Sequence, residues 1–251
     1  MHDIGALMRN GLYLNMTYSM ALTAALGLLY FHLHRLGQPY ELLPLIRPYY
    51  LTALAGIVPV CVFNVFAQWC YGTTDSSTPM WIILGGNLLN IVGNYALIFG
   101  HMGAPELGLT GAGISTLASR LLTAAAIAAF FIFSKRAAQI RQGFAASRLR
   151  GDMLARIWHT SLPVSMQMTF ESGSFSVAAI MSGWLGAIPL AAFQVIVITG
   201  TLGFCVYYSI GTATSVVVAN VAGSGDRRLM RRAAWQGYHI MLFLMTCSSL
   251  I

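Results

Sequence analysis

The chain has 251 residues, of which 8% are charged and 57% are hydrophobic, with a net charge of +7. Soluble domains carry roughly 25% charged residues, so this composition excludes an ordinary water-soluble globule. The basic residues stand in short segments between apolar runs, the pattern of loops beside a membrane rather than of a nucleic-acid surface.

A helix needs about 20 largely apolar residues to cross a ~30 Å hydrocarbon layer. Runs with no charge or a single charge predict seven such spans, near 10–31, 48–73, 79–100, 108–134, 157–182, 189–221 and 235–251. Alternating strands of about ten residues, the mark of a membrane barrel, are not seen. The first span follows Arg9 and is longer than the 7–15 residues of a signal-peptide core, so it is expected to be retained. Ahead of the third span, Asp75 with Ser76, Ser77 and Thr78 gives helix-capping chemistry, and Pro79 suits a first turn.

The third span carries Asn87, Asn90 and Asn94. Their spacing of i, i+3, i+7 aligns them on one face. Such amides either join helices by hydrogen bonds worth roughly 0.6–2 kcal/mol or offer carbonyl oxygens to a cation or proton relay. The fourth span opens Gly108-Leu109-Thr110-Gly111-Ala112-Gly113-Ile114-Ser115-Thr116, where small residues four apart predict close helix packing. Its one charge is Arg120, expected to face the bundle or to snorkel. Glu106, before it, is a helix N-terminal acid.

Residues 135–156 hold six basic residues and one acid, Asp152, and predict a cytoplasmic linker near anionic lipid. The run from 157 to 225 must be two spans, with the turn at Gly183-Trp184-Leu185-Gly186 and Pro189. Glu171, its single charge, falls near the middle of the fifth span. A carboxylate there is costly and so a candidate functional group. It can take a proton, a sodium ion or a cationic ligand, or form a structural ion pair with Arg120. The sixth span exceeds what a membrane needs, so it either bends at Gly200, Gly203 or Gly211 or extends out of the bilayer. Gln194 lies near its start and Tyr207 deeper.

Alternating the spans puts Arg9, the six basic residues of 135–156 and the four arginines of 227–232 on one side, against Arg35 and Arg47 on the other. By the positive-inside rule the N-terminus is cytoplasmic. Cys61, Cys70, Cys205 and Cys247 lie in apolar runs without a C-x-x-C pair, and no histidines pair at metal spacing within a span. Neither a disulfide framework nor a zinc site is indicated.

Gly72…Thr78-Pro79-Met80, Asn87-x-x-Asn90-x-x-x-Asn94-Tyr95 and Gly103-Ala104-Pro105-Glu106-Leu107-Gly108 with the glycine run that follows resemble helices four to six of the multidrug and toxic compound extrusion (MATE) exporters. Leu162-Pro163, Phe170-Glu171, Gly183-Trp184-Leu185-Gly186 and Leu190-Ala191-Ala192-Phe193-Gln194 resemble helices seven and eight, in the style of the NorM branch. The resemblance covers nearly the whole chain. It implies seven spans of an all-α, twelve-helix transporter built of two six-helix lobes. Residues 1–134 would be the last four helices of the N-terminal lobe, 135–156 the inter-lobe linker, and 157–251 the first three helices of the C-terminal lobe. The family's helices one, two and ten to twelve have no counterpart, so the chain is expected to be the middle of a longer exporter.

The implied function is secondary active efflux of bulky, mostly cationic drugs in exchange for sodium ions or protons, not enzymatic catalysis. The implied setting is a multi-pass protein of the bacterial inner membrane, monomeric at full length, with the lipid bilayer and drug-like molecules as partners and no cofactor. Glu171 matches the cation-coupling carboxylate, the one place where a sodium ion is expected. Asn90, Asn94 and Thr116 match positions near a second cation or proton site. Some relatives carry Asp where Asn94 stands. Gln194 matches a residue facing the substrate cavity, and Asn87 and Tyr207 join it as candidates for that lining. The rival functions are a lipid-linked precursor flippase of the same superfamily, a membrane scaffold and a non-transporting fragment.

Overall fold

The computed structural model describes residues 2–32, 43–223 and 225–249. Among these all regular structure is helical: α1 His2–Phe31, α2 Leu43–Ala55, α3 Ile57–Gly72, α4 Ser77–Phe99, α5 Gly108–Phe133, a 3-10 turn Lys135–Ala137, α6 Ala138–Ala146, α7 Gly151–Trp184, α8 Ala187–Ala222 and α9 Arg227–Ser249. Hydrocarbon offers the backbone no hydrogen-bond partner, so each crossing segment must satisfy its own N–H and C=O groups as a helix. Five segments are long and apolar enough to cross a membrane: Ile4–Phe31, Arg47–Gly72, Ser77–Phe99, Gly108–Phe133 and Ile188–Ala222. The other two expected spans are helical as well, within α7 and α9. They are less apolar because α7 carries Gln167, Glu171 and many hydroxyls, and α9 begins with four arginines in six residues. Arg35 and the last two residues of the seventh span lie outside the described residues.

The helices group into two compact units, one up to Ile157 and one from Trp158. In the first, α5 is the central element, packed on α2, α3 and α4. Small residues permit the close approach. A methyl group added at Gly111 would overlap the backbone of Leu97, one at Gly93 the hydroxyl of Ser115, and one at Gly86 the side chain of Thr123. These three pairs zip α4 antiparallel to α5. On the other side, Gly113 abuts Thr52 of α2 in the same way.

The predicted second span begins earlier than expected and is broken at Gly56. Pro59 lacks the N–H that would bond the carbonyl of Ala55, and the Gly56 N–H divides between Thr52 O (3.1 Å) and Ala53 O (3.2 Å). Arg120 of α5 lies across the break. A Cβ at Gly56 would stand 2.6 Å from one of its guanidinium nitrogens. The bundle-facing placement expected for Arg120 is therefore observed, with Gly56 as the small residue that admits it. Among the described residues the Arg120 guanidinium makes no hydrogen bond or ion pair.

At one end of this unit Met8, Phe66, Trp69, Ile127, Phe131 and Ile140 form the buried core. The Phe131 ring centroid lies 5.1 Å from those of both Phe66 and Trp69. The segment expected to be only a linker contributes to this core. Its helix α6 packs on α1, with Ile140 2% exposed and its carbonyl 2.5 Å from where a Gly5 Cβ would be. The basic residues counted for orientation also have local partners here. The Arg9 guanidinium donates to the carbonyls of Phe144 and Ala145, each at 3.2 Å, and to that of Ser147. Arg141 donates to the carbonyls of Phe131 (2.9 Å), Ser134 (3.0 Å) and Ile132. It thus closes the C-terminus of α5, where a helix leaves carbonyls without partners and favours positive charge. Arg150 bonds Asp152 at 3.2 and 2.7 Å. Those bonds hold the Asp152 carboxyl below the usual carboxylate range.

In the second unit α7 and α8 are joined where the turn was expected. Gly186 has φ +119°, in the left-handed region that favours glycine. Pro163 stands inside α7, and none of its described residues is buried. The 36 residues of α8 would extend about 54 Å at 1.5 Å per residue, and the helix runs unbroken through Gly200, Gly203 and Gly211. α9 packs back along α8, with Gly237 against Thr214. Hydroxyls on α7 and α8 bond back to their own helix, for example Thr169 to Ser165 O (2.8 Å) and Thr201 to Val197 O (2.7 Å). Such bonding lets a polar side chain face lipid without an open donor.

A hydrogen bond from a charged group is worth roughly 1.5–3 kcal/mol. Arg141→Gln is therefore expected to lower unfolding free energy in detergent by about 2 kcal/mol. The check is a denaturation curve beside that of Arg148→Gln, which should move little because no such helix-closing bonds are lost.

Candidate functional site

Two polar places stand inside the membrane-spanning parts, one in each unit. The first is built by the close packing of α4 on α5. Because Gly93 and Gly86 let the helices touch, Asn90 reaches across. Its amide nitrogen lies 3.4 Å from Ser115 Oγ and 3.3 Å from Thr116 Oγ1. The Ser115 hydroxyl donates to Asn90 O (3.0 Å), and the Thr116 hydroxyl donates to Ala112 O (2.8 Å). Both hydroxyl hydrogens are thus committed to carbonyls, so the Asn90 amide must face them with its nitrogen. Its oxygen then accepts from Asn94 Nδ2 at 3.1 Å. The chain of donors ends at Asn94 Oδ1, which is buried and has no hydrogen-bond partner among the described residues. An unmatched buried acceptor is costly, and it is the kind of ligand a hard cation or a protonated donor satisfies.

Asn90, Asn94 and Thr116 are therefore brought together, as expected. Asn87 is not part of the network and is exposed on α4. Ser115, 4% exposed, was read from the sequence only as a small packing residue. The signal that could have revealed it is its place beside Thr116, opposite an asparagine stripe.

The second place is a cavity of about 580 Å3 between α7 and α8. Met168, Phe175, Phe193 and Phe204 supply apolar wall, and Glu171, Ser172 and Thr201 supply polar atoms. Glu171, Ser172 and Phe175 share one face of α7 because they stand at i, i+1 and i+4. Phe193, Val197, Gly200, Thr201 and Phe204 recur at three- and four-residue steps on α8, with Gly200 leaving room. The Glu171 carboxylate makes no hydrogen bond or ion pair among the described residues. No arginine or lysine lines the cavity. Gln194 is exposed on α8, one residue past Phe193, and Tyr207 is half-buried. Neither lines this cavity. The phenylalanines that do line it were not singled out from the sequence, because in an apolar helix a Phe is indistinguishable from lipid-facing filler until its neighbours are known.

The MatE family model matches residues 1–96 and 163–251. A "Probable multidrug resistance protein NorM" of Photorhabdus laumondii is 28% identical over 220 residues, covering 88% of this chain and 48% of that protein. A protein of the same description from Xanthomonas axonopodis pv. citri is 28% identical over 241 residues, covering 96% and 52%. The crystal structure of the eukaryotic MATE transporter AtDTX14 superposes with a TM-score of 0.80 at 17% identity, covering 95% of this chain and 52% of that one. The chain thus spans about half the length of the curated relatives it matches. An all-helical fold shared with a solved MATE transporter, and a family model that takes in both units, together establish that this chain belongs to the MatE family, whose members are transporters rather than enzymes.

Proposed function

We propose that this chain supplies the middle of a multidrug efflux antiporter that exports bulky, mostly cationic compounds in exchange for sodium ions or protons. The observation that carries this reading is the Glu171 carboxylate, without a partner among the described residues, in a phenylalanine-lined cavity. At about 580 Å3 the cavity falls within the roughly 300–1,000 Å3 of drug-sized pockets. Aromatic faces attract cations, and more strongly where water is displaced. One carboxylate holds either a coupling ion or a cationic cargo, and that exclusion gives exchange rather than leak. The relatives described as multidrug resistance proteins support the same cargo class. A lipid-linked pyrophosphate would call for basic lining, which this cavity lacks, so the flippase reading is less well supported.

In the same reading Asn94 Oδ1, with Asn90 and Thr116, marks a second cation or proton site in the first lobe. Residues 1–134 and 157–251 then belong to successive lobes, with 135–156 joining them on the cytoplasmic side. The N-terminus of the chain is cytoplasmic, in a bacterial inner membrane, and the full-length transporter acts as a monomer. Gln194 and Tyr207 would meet cargo from their own faces of α8, and Asn87 from α4.

In vesicles carrying the full-length protein, Glu171→Gln is expected to abolish cation-driven dye efflux at unchanged expression. Efflux at the original rate would sink the assignment. Imposing a sodium gradient at fixed pH, or a pH gradient without sodium, identifies the coupling ion. Phe204→Ala is expected to weaken binding of a cationic dye by about fivefold to thirtyfold, from a cation–π contribution of roughly 1–2 kcal/mol, with little effect on a neutral one. Fluorescence titration of the purified protein checks this. Asn94→Ala is expected to raise the coupling-ion concentration for half-maximal efflux by about tenfold, in line with roughly 1–2 kcal/mol for a membrane-embedded amide contact. An unchanged half-maximal concentration would assign the amide to helix packing alone.

A further inference from the structure

The first half of α9 carries a feature the transport reading does not use. Arg228, Arg231, Arg232, Trp235, Gln236 and His239 stand at i, i+3, i+4, i+7, i+8 and i+11, within an arc of about 140° at 100° per residue. They line a cleft of about 710 Å3, together with Leu229 and Asp226. Gly237 projects from the opposite side of α9 and is the residue that packs on Thr214 of α8. The arginine stripe therefore faces away from the α8 contact. The guanidinium groups of Arg227, Arg228, Arg231 and Arg232 make no hydrogen bond or ion pair among the described residues. The single acid at the cleft is already engaged. Asp226 Oδ1 accepts from the backbone N–H groups of Arg228 (2.9 Å) and Leu229 (3.1 Å), so it caps the helix. At the inner end of the stripe, His239 Nδ1 lies 2.6 Å from Trp235 O, which places the ring proton on that nitrogen and turns Nε2 outward.

The order along the helix says what the stripe meets. Guanidiniums come first, then an amphipathic indole and an imidazole. Beyond them runs Ile240-Met241-Leu242-Phe243-Leu244-Met245, which belongs in hydrocarbon. Tryptophan favours the level of the lipid headgroups, so the arginines beside it stand at the height of lipid phosphates. Guanidinium forks match phosphate oxygens in geometry as well as charge. We propose that this stripe is a binding site for the headgroup of an anionic phospholipid, with Arg228, Arg231 and Arg232 on the phosphate and Trp235 against the glycerol and upper acyl chain. The bound lipid neutralises a cluster of like charges at the α8–α9 hairpin and pins α9 at a fixed depth.

The test is native mass spectrometry of the full chain, released from nanodiscs of phosphatidylglycerol, cardiolipin or phosphatidylcholine. The protein is expected to keep phosphatidylglycerol or cardiolipin and to lose phosphatidylcholine. The triple variant Arg228→Gln/Arg231→Gln/Arg232→Gln should weaken retention by about a hundredfold, at roughly fivefold per arginine near an anionic surface. A control triple variant, Lys135→Gln/Arg148→Gln/Arg156→Gln, tested for its own fold by circular dichroism, should lose far less retention, no more than the general attraction of a basic linker to an anionic surface. Equal retention by the stripe variant, equal loss in the control variant, or equal retention of phosphatidylcholine would each overturn the proposal. Displacement of the lipid by millimolar inorganic phosphate would also overturn it, by making the site one for free phosphate.

Discussion

The constraint on which everything else rests is that a polar group inside hydrocarbon must find a partner in the protein, because the solvent offers none. It forces the backbone into helices and it disciplines the side chains. Thr169 and Thr201 bond their own helix. Asn90 reaches a neighbouring one. Against that background the groups left without partners among the described residues stand out: Asn94 Oδ1, Trp69 Nε1 and Thr23 Oγ1 among the buried atoms, and the Glu171 carboxylate and the Arg120 guanidinium among the embedded charges. In water such a group would be unremarkable. Here it carries a persistent cost, and a place where something else is meant to bind gives that cost a use.

The same constraint governs how the helices meet. Lipid tails are as apolar as leucine, so burying leucine between helices gains little over leaving it in the bilayer. Leu88 and Ile91 of α4 accordingly stay 63% and 64% exposed, facing outward. What holds α4 to α5 is the close contact that Gly86, Gly93 and Gly111 allow, and that contact is also what brings Asn90 within reach of Ser115 and Thr116. Packing and site are thus one arrangement. A larger residue at Gly93 would separate the helices and dissolve the polar network together.

Much of this was legible in the sequence because membrane burial writes strong signals. Apolar runs placed α4, α5 and α8 to within two residues, whereas α1, α7 and α9 begin six to eight residues before the expected spans because their first turns are polar; Gly186 marked its own turn, and the small residues of 108–116 announced a close interface. Asp75 caps α4 as its type suggests, accepting from the backbone N–H of Thr78 (3.1 Å) and from the hydroxyl of Thr78 (2.8 Å). What was not legible depended on contacts between distant positions. The break at Gly56 arises from Pro59 and from Arg120, 64 positions further on in the chain. The basic segment 135–156 looked like solvated linker because its charges dominate its composition, yet Ile140 and Phe144 drive α6 into the core. Arg141 within it and Arg9 ahead of it each hold a helix end. Phe175, Phe193 and Phe204 gained meaning only once α7 and α8 were seen to enclose a space.

The two candidate sites differ in a way that bears on coupling. Around Asn94 the hydroxyls of Ser115 and Thr116 are committed to carbonyls and one neutral acceptor remains, so a cation proposed there would be held by a neutral ligand. At Glu171 the ligand is a full negative charge beside apolar walls, where an isolated ion is costly. On the proposed function, a sodium ion or the positive end of a drug would match that charge. In the proposed cycle the empty transporter is thereby the state to be avoided. Arg120, fixed over Gly56 in the first unit, supplies a permanent positive charge that no exchange alters.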